Sequence, residues 1–358
     1  GRDAPDPAVV GGRTAKRLAA GVALSASLSA SAASEETVAK IAAGSGVAFG
    51  AAIAARDTLR RPELILRYFT SVTAENAHKW SRIEREEGRR DHGAGDAVVA
   101  MAEAHGLRTR GHTLVWGRGN GAPKWLRERF SGPGASAEEL RRLTAAHIED
   151  VVGRYRGRVA QWDVVNEPLA MTGVALDPLS PFGRLLGEDG FVQAFKAAAA
   201  ADPRALLFIN EFGLEADPRR FDAFLALVDR LIAAGAPIDG VGLQGHFLRA
   251  PPDRARLEAM MRAIEERRLI VEITELDIPL RLFRERPDPD AAQAAAFGDV
   301  ASACLAVSAC AGITVWGLLE NESWLGPTSR ALPLDRRGRP RPAMDAIAAA
   351  LAKGRPGP

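Results

Sequence analysis

From residue 45 onward, eight short β-rich runs alternate with Ala-, Leu- and Arg-rich stretches of helical character. Several runs are apolar almost throughout, among them 206–209 and 269–271, as is typical of strands buried on both faces of a parallel sheet. Eight β/α repeats of this kind predict an α/β fold, a single closed (β/α)8 barrel or TIM barrel. The predicted strands are 46–53, 71–75, 107–115, 159–166, 205–210, 240–244, 269–274 and 312–318.

The stretches between the predicted strands have the apolar periodicity of amphipathic helices. In 137–154, Leu140, Leu143 and Ile148 recur at helical spacing, and 219–234 has the same pattern. The length of 358 residues would allow two domains, but one barrel of about 250 residues or more accounts for nearly all of it. Because no Ser-, Gly- or Pro-rich linker interrupts the chain after residue 45, we expect one catalytic domain over 41–350.

Charge and composition exclude several classes of partner. The chain has 47 Lys and Arg against 45 Asp and Glu, a formal net charge of +2, and no dense basic tract, so we expect no nucleic-acid partner. No stretch of about eighteen residues is purely apolar, so we expect no membrane partner. Neither GxGxxG nor GxxxxGKS/T occurs, and the two cysteines cannot build a metal site, so we predict no cofactor and no metal.

The two ends of the chain are predicted to lie outside the barrel. Three basic residues at 13–17 precede a mildly apolar run at 18–30 and then small residues, an order that resembles a secretory signal peptide. A disordered leader is the alternative, and in either case 1–40 does not belong to the fold. The last residues, 351–358, are expected to fray.

Cys304 and Cys310 are the only cysteines of the sequence, and they are six positions apart. A disulfide between them requires a turn or a helix end, because a continuous helix would not bring them together. Two buried free thiols are the alternative.

Polar side chains gather at the C-terminal ends of the predicted strands, the end at which βα loops build the active site of a barrel. Glu167 directly follows the predicted fourth strand and Glu275 the predicted seventh, so two carboxylates come from opposite walls of the barrel mouth. A single glutamate at a strand end is more often a surface or ion-paired residue, and the accompanying set makes these two candidates for catalysis. That set comprises Glu75, Asn76, Lys79, His112, Trp116, Gln244, His246, Trp316 and Trp324.

This combination of residue types is suited to glycoside hydrolysis. One carboxyl group must be protonated to donate to the leaving oxygen, while another must be ionised to attack or to activate water. Amide, imidazole and ammonium groups match the hydrogen-bonding pattern of sugar hydroxyls, and indole rings stack on pyranose faces. We interpret Trp116, Trp316 and Trp324 as sugar platforms, and Trp162, with Trp80 and Trp125 in part, as core residues.

Six motifs occur in order along the chain: TAENAHKW at 73–80, RGHTLVW at 110–116, WDVVNE at 162–167, QGH at 244–246, ITELDI at 273–278 and GITVWG at 312–317. They resemble those of the family 10 glycoside hydrolases, the endo-β-1,4-xylanases. The connecting stretch at 180–203 is similar as well, so the resemblance covers about residues 45–350.

The resemblance implies a role for each candidate residue. Glu167 would be the general acid/base and Glu275 the nucleophile of a retaining double displacement, which requires their carboxyl groups to be about 5–5.5 Å apart. His246 would hydrogen-bond both Glu275 and Asp277, and Asn166 would contact the 2-hydroxyl of the sugar under attack. Glu75, Asn76, Lys79, His112 and Gln244 would line the glycone side, with Trp116, Trp316 and Trp324 as walls of the site. The resemblance also implies a disulfide between Cys304 and Cys310, and with it export.

The sequence departs from the family pattern in three loops. The third βα loop has GRGNG at 117–121 in place of a His-Ser-Gln-type segment, and Asn120 is a candidate replacement for the missing glutamine. NEFG at 210–213 lacks a tyrosine near the aglycone side, and the eighth loop has Glu320-Asn321 and Leu325 where Asp-Lys and Arg are usual. These departures concern aglycone binding more than catalysis.

We therefore expect a secreted, extracellular or periplasmic, monomeric and retaining endo-β-1,4-xylanase that acts on xylan or xylo-oligosaccharides. A barrel β-glycosidase for β-1,4-glucan or for short or decorated xylo-oligosaccharides is the alternative, and product patterns on xylan and cellulose would separate the two. A carbohydrate-binding barrel without turnover would be expected to lack one of the two carboxylates, and Glu167 and Glu275 are both present.

Overall fold

Eight parallel strands close into a barrel in chain order, with β1 paired to both β2 and β8. The structure, a computed structural model, describes residues 37–355. It confirms the predicted (β/α)8 fold, and each predicted strand overlaps an observed one. The strands are β1 Ala48–Ile53, β2 Ser71–Ala74, β3 Arg108–Val115, β4 Gln161–Asn166, β5 Leu206–Glu211, β6 Gly240–Leu243, β7 Ile270–Leu276 and β8 Cys310–Val315.

Helices surround the barrel, and their starts follow from capping residues in the sequence. Ser136 accepts a hydrogen bond from the Glu139 amide at the start of α7, and Asp217 caps α9 ahead of Pro218. The helices are α1 Val38–Ser45, α2 Asp57–Arg60, α3 Pro62–Tyr68, α4 Trp80–Ile83, α5 Gly93–Ala104, α6 Lys124–Arg129, α7 Ala137–Arg154, α8 Gly187–Ala201, α9 Pro218–Ala233, α10 Arg254–Glu265, α11 Pro289–Leu305 and α12 Pro342–Ala352. Short π- and 3-10 segments are Phe182–Leu186, Leu280–Phe283 and Glu320–Glu322.

The core interpretation of two tryptophans is confirmed. Trp162 on β4 and Trp80 on α4 are both fully buried, and Trp125 is partly buried against the core. Trp162 can pack against the neighbouring strand because residue 111 is glycine: a Cβ at Gly111 would collide with the indole ring. The Trp80 indole nitrogen donates to Glu84 at 2.9 Å, which satisfies its only polar group.

The barrel interior also contains a buried ionic cluster beneath the strand ends. The Arg110 guanidinium contacts Asp163 Oδ2 at 3.1 Å and Glu272 Oε2 at 3.0 Å, and it lies 4.5 Å from the centroid of the Phe208 ring. Burial of these charges is tolerated because each is paired and hydrogen-bonded. Asp163 therefore presents a fixed carboxylate beside His112, its register partner on β3, at 2.9 Å from His112 Nδ1.

The observed domain limits differ by a few residues from those predicted. Helix α1 begins at Val38, capped by Thr37, so the fold starts before residue 41. At the other end α12 continues to Ala352, and the Arg355 side chain donates to the Val307 carbonyl at 2.7 Å, so the chain stays packed beyond residue 350. Of the predicted signal or leader at 1–40, residues 1–36 lie outside the described residues, and 38–40 belong to α1.

Cys304 and Cys310 form a disulfide, which decides between the two alternatives left by their spacing. Cys304 lies in the last turn of α11 and Cys310 is the first residue of β8, so the helix end between them allows the bond. Within residues 37–355, no helix is long and apolar enough to cross a membrane.

Candidate active site

An open cleft of ≈ 1670 Å³ lies across the C-terminal ends of the strands. Its lining includes both candidate carboxylates, Glu167 and Glu275, together with His246. All nine predicted substrate-binding residues also line it: Glu75, Asn76, Lys79, His112, Trp116, Asn166, Gln244, Trp316 and Trp324. Side chains from seven strand ends or the loops after them therefore converge on one concave surface, as the position of active sites in such barrels requires.

Glu275 lies near the C-terminal end of β7 and is buried between two donors. Its Oε1 accepts from Asn210 Nδ2 at 2.7 Å, and its Oε2 lies 3.1 Å from His246 Nε2. Burial opposes ionisation, but the hydrogen bond from His246 and the nearby positive charge outweigh it and lower the pKa of Glu275. This carboxyl group is therefore held as a carboxylate.

His246 is held in the charged form that this contact requires. Burial alone would lower its pKa, but the charge of Asp277 and the hydrogen bonds to Asp277 and Glu275 raise the pKa of His246 to about 10. Its Nδ1 lies 2.9 Å from Asp277 Oδ2. Because both ring nitrogens are protonated, the imidazolium donates to one carboxylate on each side. Asp277 also accepts from the Trp324 indole at 2.7 Å, although 54% of the Trp324 surface is exposed.

Glu167 follows the last residue of β4 and has a different set of neighbours. Its backbone adopts a left-handed conformation with φ 52°, and its amide donates to the Asn210 carbonyl at 2.8 Å. The carboxyl oxygens accept from Gln244 Nε2 at 3.1 Å and Trp116 Nε1 at 3.0 Å, both neutral donors. Burial, reinforced by the negative charge of Glu275, raises the pKa of Glu167. The pKa values of the two carboxyl groups of the cleft are thus displaced in opposite directions.

The predicted glycone wall is formed by loops after β2 and β3. Lys79 Nζ donates to Asn76 Oδ1 at 2.9 Å and lies 5.1 Å from the centroid of the Trp116 ring. Burial lowers the pKa of Lys79 and raises that of Glu75. Since the two groups have opposite charges and lie in the same wall, they supply a donor and an acceptor to a ligand.

Two tryptophans of the segment after β8, Trp316 and Trp324, pack against histidines of the cleft. The Trp316 ring meets His112 edge to face, with 5.0 Å between the ring centroids, and only 8% of Trp316 is exposed. Trp324 packs in the same way on His246, at 5.1 Å. Aromatic rings at these positions present apolar surface to a ligand in the cleft.

Asn210, at the C-terminal part of β5, was noted in the sequence only as part of a departing loop, yet it is central to the site. Its side-chain amide bridges the Glu275 carboxylate and Asn166 Oδ1, at 2.7 and 2.8 Å, while its own Oδ1 accepts from the Thr274 hydroxyl at 2.7 Å. The strand-end position of a polar residue was the available signal, the same one that identified Asn166 and Gln244.

Two of the three loops that depart from the family pattern, the third and the fifth βα loops, line the cleft. Asn120 lines the cleft and its Nδ2 lies 3.3 Å from Asn76 Oδ1, so it reaches the glycone wall as proposed for a sugar contact. Phe212 lines the other half, beside the exposed Met171 and Val174 of the loop after β4. Glu320, Asn321 and Leu325 of the eighth loop are not among the described residues that line the cleft.

Arg220, on α9, fixes the shape of that half, and nothing in the sequence marked it. Its guanidinium donates to Glu211 Oε1 at 2.9 Å and to the carbonyls of Phe212, Ala170 and Gly173 at 3.2, 2.6 and 2.7 Å. Glu211 in turn accepts from the Leu169 amide at 3.0 Å. One buried ion pair therefore ties the loops after β4 and β5 together.

Comparison with known proteins points to one family. The sequence model of glycosyl hydrolase family 10 matches residues 37–350. Endo-1,4-beta-xylanase 3 of Hypocrea jecorina is 37% identical over 281 residues, which cover 78% of this chain and 75% of that protein. The xylanase XynB structure from Paenibacillus barcinonensis, complexed with a conduramine derivative, has 31% identity and a TM-score of 0.77 over 88% of this chain and 99% of that one. Xylanase 10B from Thermotoga petrophila in complex with xylobiose has 28% identity and a TM-score of 0.79, over 88% and 97%.

Proposed function

The chain belongs to glycosyl hydrolase family 10, and from this we propose that it is an endo-β-1,4-xylanase that hydrolyses internal xylosidic bonds of xylan with retention at the anomeric carbon. The observation that carries the proposal is that the pKa values of two carboxyl groups in one cleft are shifted in opposite directions. Glu275 has a lowered pKa beside a charged His246, and Glu167 has a raised pKa beside neutral donors. Any glycosidase with two catalytic carboxyl groups requires this pair of states in its resting form, and the retaining course is proposed from membership of the family.

In the first step, the Glu275 carboxylate attacks the anomeric carbon while Glu167 gives its proton to the glycosidic oxygen. The C–O bond to the leaving sugar breaks, and a bond from Glu275 to the anomeric carbon forms. The hydrogen bonds from Asn210 and His246 orient the attacking oxygen pair. Orientation of this kind lowers the activation barrier because the reacting atoms are already aligned when the substrate binds.

In the second step, the glycosyl ester is opened by water. Formation of the ester consumes the negative charge of Glu275, which had helped to raise the pKa of Glu167. The pKa of Glu167 then falls, so the same residue can act as a base and take a proton from the attacking water. The bond between Glu275 and the sugar breaks, and the product keeps its original anomeric configuration.

Substrate recognition would divide along the cleft. The relatives are named as xylanases, and one of the solved structures is a complex with xylobiose. We assign the glycone sugars to the wall of Glu75, Asn76, Lys79 and His112, and the 2-hydroxyl at the reacting sugar to Asn166, which Asn210 holds at 2.8 Å. The aglycone sugars would lie against Phe212, where a phenyl ring offers stacking without a hydroxyl group.

The proposal includes secretion of a monomeric enzyme. The Cys304–Cys310 disulfide supports it, because such bonds persist in oxidising compartments, and so does the signal-like order at 13–32 of the sequence. Xylan is itself an extracellular polymer too large to enter a cell, so its hydrolase must act outside.

The test is reducing-sugar release from xylan and from soluble cellulose by the full chain and by Glu275→Ala. We expect release from xylan, none in the variant, and β-configured products in the first minutes by NMR. Glu275 makes its contacts in the cleft rather than in the apolar core, so the variant should keep its thermal transition. Equal activity on cellulose, or α-configured initial products, would contradict the proposal. Glu167→Ala serves as the matched control: it should retain glycosylation on aryl xylobiosides whose leaving group needs no proton.

A further inference from the structure

A second concavity, of ≈ 430 Å³, lies at the rim of the barrel between the loop after β1 and the long loop after β8. Five arginines from two distant parts of the chain line it: Arg60, Arg61 and Arg67 on or beside α2 and α3, and Arg336 and Arg337 ahead of α12. We call this set the arginine groove. Glu63 is the one carboxylate in its described lining, so the groove is strongly positive on a chain whose formal net charge is only +2.

The turn that carries Arg336 and Arg337 is fixed by its own hydrogen bonds. Asp335 Oδ1 accepts from the amides of Arg337 and Arg339, at 2.8 and 2.9 Å, and the Gly338 amide closes the turn on the Asp335 carbonyl at 2.9 Å. Gly338 has a φ of 77°, a conformation that favours glycine. The second Asp335 oxygen pairs with Arg339, so this carboxylate does not neutralise the groove.

Three of the guanidinium groups are free to bind a ligand. Across residues 37–355, the side chains of Arg60, Arg336 and Arg337 make no ion pair or hydrogen bond, and all three are exposed. Arg61 differs, because it is held by Asp57 at 2.6 Å and by Glu322 at 3.0 Å. Like charges brought together without partners repel one another, and a bound anion would relieve that repulsion.

A chain of charged contacts links the groove to the glycone wall of the cleft. Arg61 and Arg56 share Glu322, at 3.0 and 3.4 Å. The charge of Arg56 also acts on Glu75 in the glycone wall. A polysaccharide chain that leaves the cleft past Glu75 would therefore run toward the arginines.

We propose that the arginine groove binds the carboxylate of a glucuronic acid branch on the same xylan chain whose backbone occupies the cleft. This rests on the proposed function. The backbone of xylan is uncharged, so a uronate branch is the group on the substrate that complements the groove. A guanidinium group binds a carboxylate through two parallel hydrogen bonds, and such pairs add geometric specificity. The branch is also tethered to a bound backbone, so even a weak contact acts at high effective concentration.

The experiment compares glucuronoxylan with the same polymer after its carboxyl groups have been reduced to alcohols. KM is measured at low salt for the wild type, for Arg336→Gln/Arg337→Gln, and for Arg142→Gln/Arg156→Gln, which removes the same charge at two exposed arginines outside the groove. We expect the wild type to have a KM for glucuronoxylan about 3- to 10-fold below that for the reduced polymer, as a few exposed ion pairs would give. The groove variant should lose this difference, and the control should keep it.

A second measurement makes the result independent of turnover. Retardation of Glu275→Gln in gels containing either polymer reports binding alone, and we expect stronger retardation by glucuronoxylan that disappears when the two groove substitutions are added. Equal affinity for both polymers, or a preference that survives in the groove variant, would overturn the proposal. Failure of the wild type to hydrolyse either polymer would instead contradict the proposed function, and the gels would still decide whether the groove binds uronate. Added salt should reduce the preference, since exposed ion pairs are screened.

Discussion

Arg220→Met is expected to destabilise the protein and loosen the aglycone half of the cleft. The guanidinium is buried and donates to one carboxylate, Glu211, and to three carbonyl groups in the loops after β4 and β5. Methionine fills a similar volume but offers no donor, so four acceptors lose their partner at once. Removing one member of a buried ion pair costs about 3–5 kcal/mol, because the other is left uncompensated.

The cost should depend on pH in a defined direction. Burial raises the pKa of Glu211 to about 8 from its ordinary 4.5, even though Arg220 acts to lower it. Between pH 4.5 and about 8, Glu211 is protonated in the folded state and ionised in the unfolded state. The free energy of unfolding therefore falls as the pH rises through this range and becomes constant above it. Without Arg220 the folded pKa moves higher still. The variant therefore continues to lose stability above pH 8, where the wild type levels off.

The assay is urea unfolding of both proteins at pH 6 and pH 9, with the disulfide intact. We expect a free-energy difference of about 3–5 kcal/mol at pH 9, where Glu211 is ionised and loses its partner. At pH 6, where Glu211 holds its proton, only the lost hydrogen bonds remain and the difference should be smaller. Arg220→Lys should fall between the two, because an ammonium group keeps the charge but cannot reach all four acceptors in one plane. KM for xylo-oligosaccharides long enough to contact Phe212 should rise in Arg220→Met, while kcat/KM for an aryl xylobioside changes little.

Two results would refute this reasoning. A difference below about 1 kcal/mol at both pH values would mean that the loops do not depend on the ion pair. A difference of the expected size that is the same at pH 6 and pH 9 would mean that Glu211 is not the group whose charge is left unpaired. Arg219→Met on the neighbouring exposed position is the control and should unfold like the wild type.

Three further predictions follow from the same contacts. The alkaline limb of the kcat/KM profile should lie above the range of an ordinary carboxyl group, because the pKa of Glu167 is raised, and Glu167→Gln should abolish that limb on an aryl xylobioside with a good leaving group. Replacing Cys304 and Cys310 by serine opens a short loop and should cost about 2 kcal/mol, a fall in the melting temperature of about 2–4 °C by calorimetry. Trp324→Phe keeps an aromatic ring, though a smaller one, and removes the hydrogen bond to Asp277. The kcat/KM on xylan should therefore fall by about 2- to 10-fold, and an unchanged value would exclude a role for that bond.

The barrel and its two carboxylates were predictable because their signals are local. Apolar runs and helical periodicity mark the repeats, and the strand-end rule brings Glu167 and Glu275 to one mouth without any knowledge of distances. Asn210 obeys the same rule, because it is the penultimate residue of β5, while Asn166 is the last residue of β4. Within 210–213 the departure from the family pattern concerns the residues after Asn210 and not Asn210 itself.

Arg220 and the arginine groove could not have been predicted in this way. Arg220 occupies one polar position of an amphipathic helix, where arginine is expected to face solvent, and only the packing of α9 under two loops buries it. The groove joins residues near 60 with residues near 336, a separation that no pattern in the sequence links. The sequence contains no contiguous basic tract, but the fold brings arginines from distant segments together into one positive surface.

The two glutamates are chemically identical, so their different roles must come from their neighbours. Glu167 and Glu275 are both largely withdrawn from water, and burial raises the pKa of each. What separates them is the charge on their hydrogen-bond donors: Gln244 and Trp116 are neutral, whereas His246 is an imidazolium. That charge depends in turn on Asp277, which lies 2.9 Å behind the ring. The proposed division between acid and nucleophile therefore depends on a residue that does not touch the nucleophile, the Asp277 carboxylate that keeps His246 protonated.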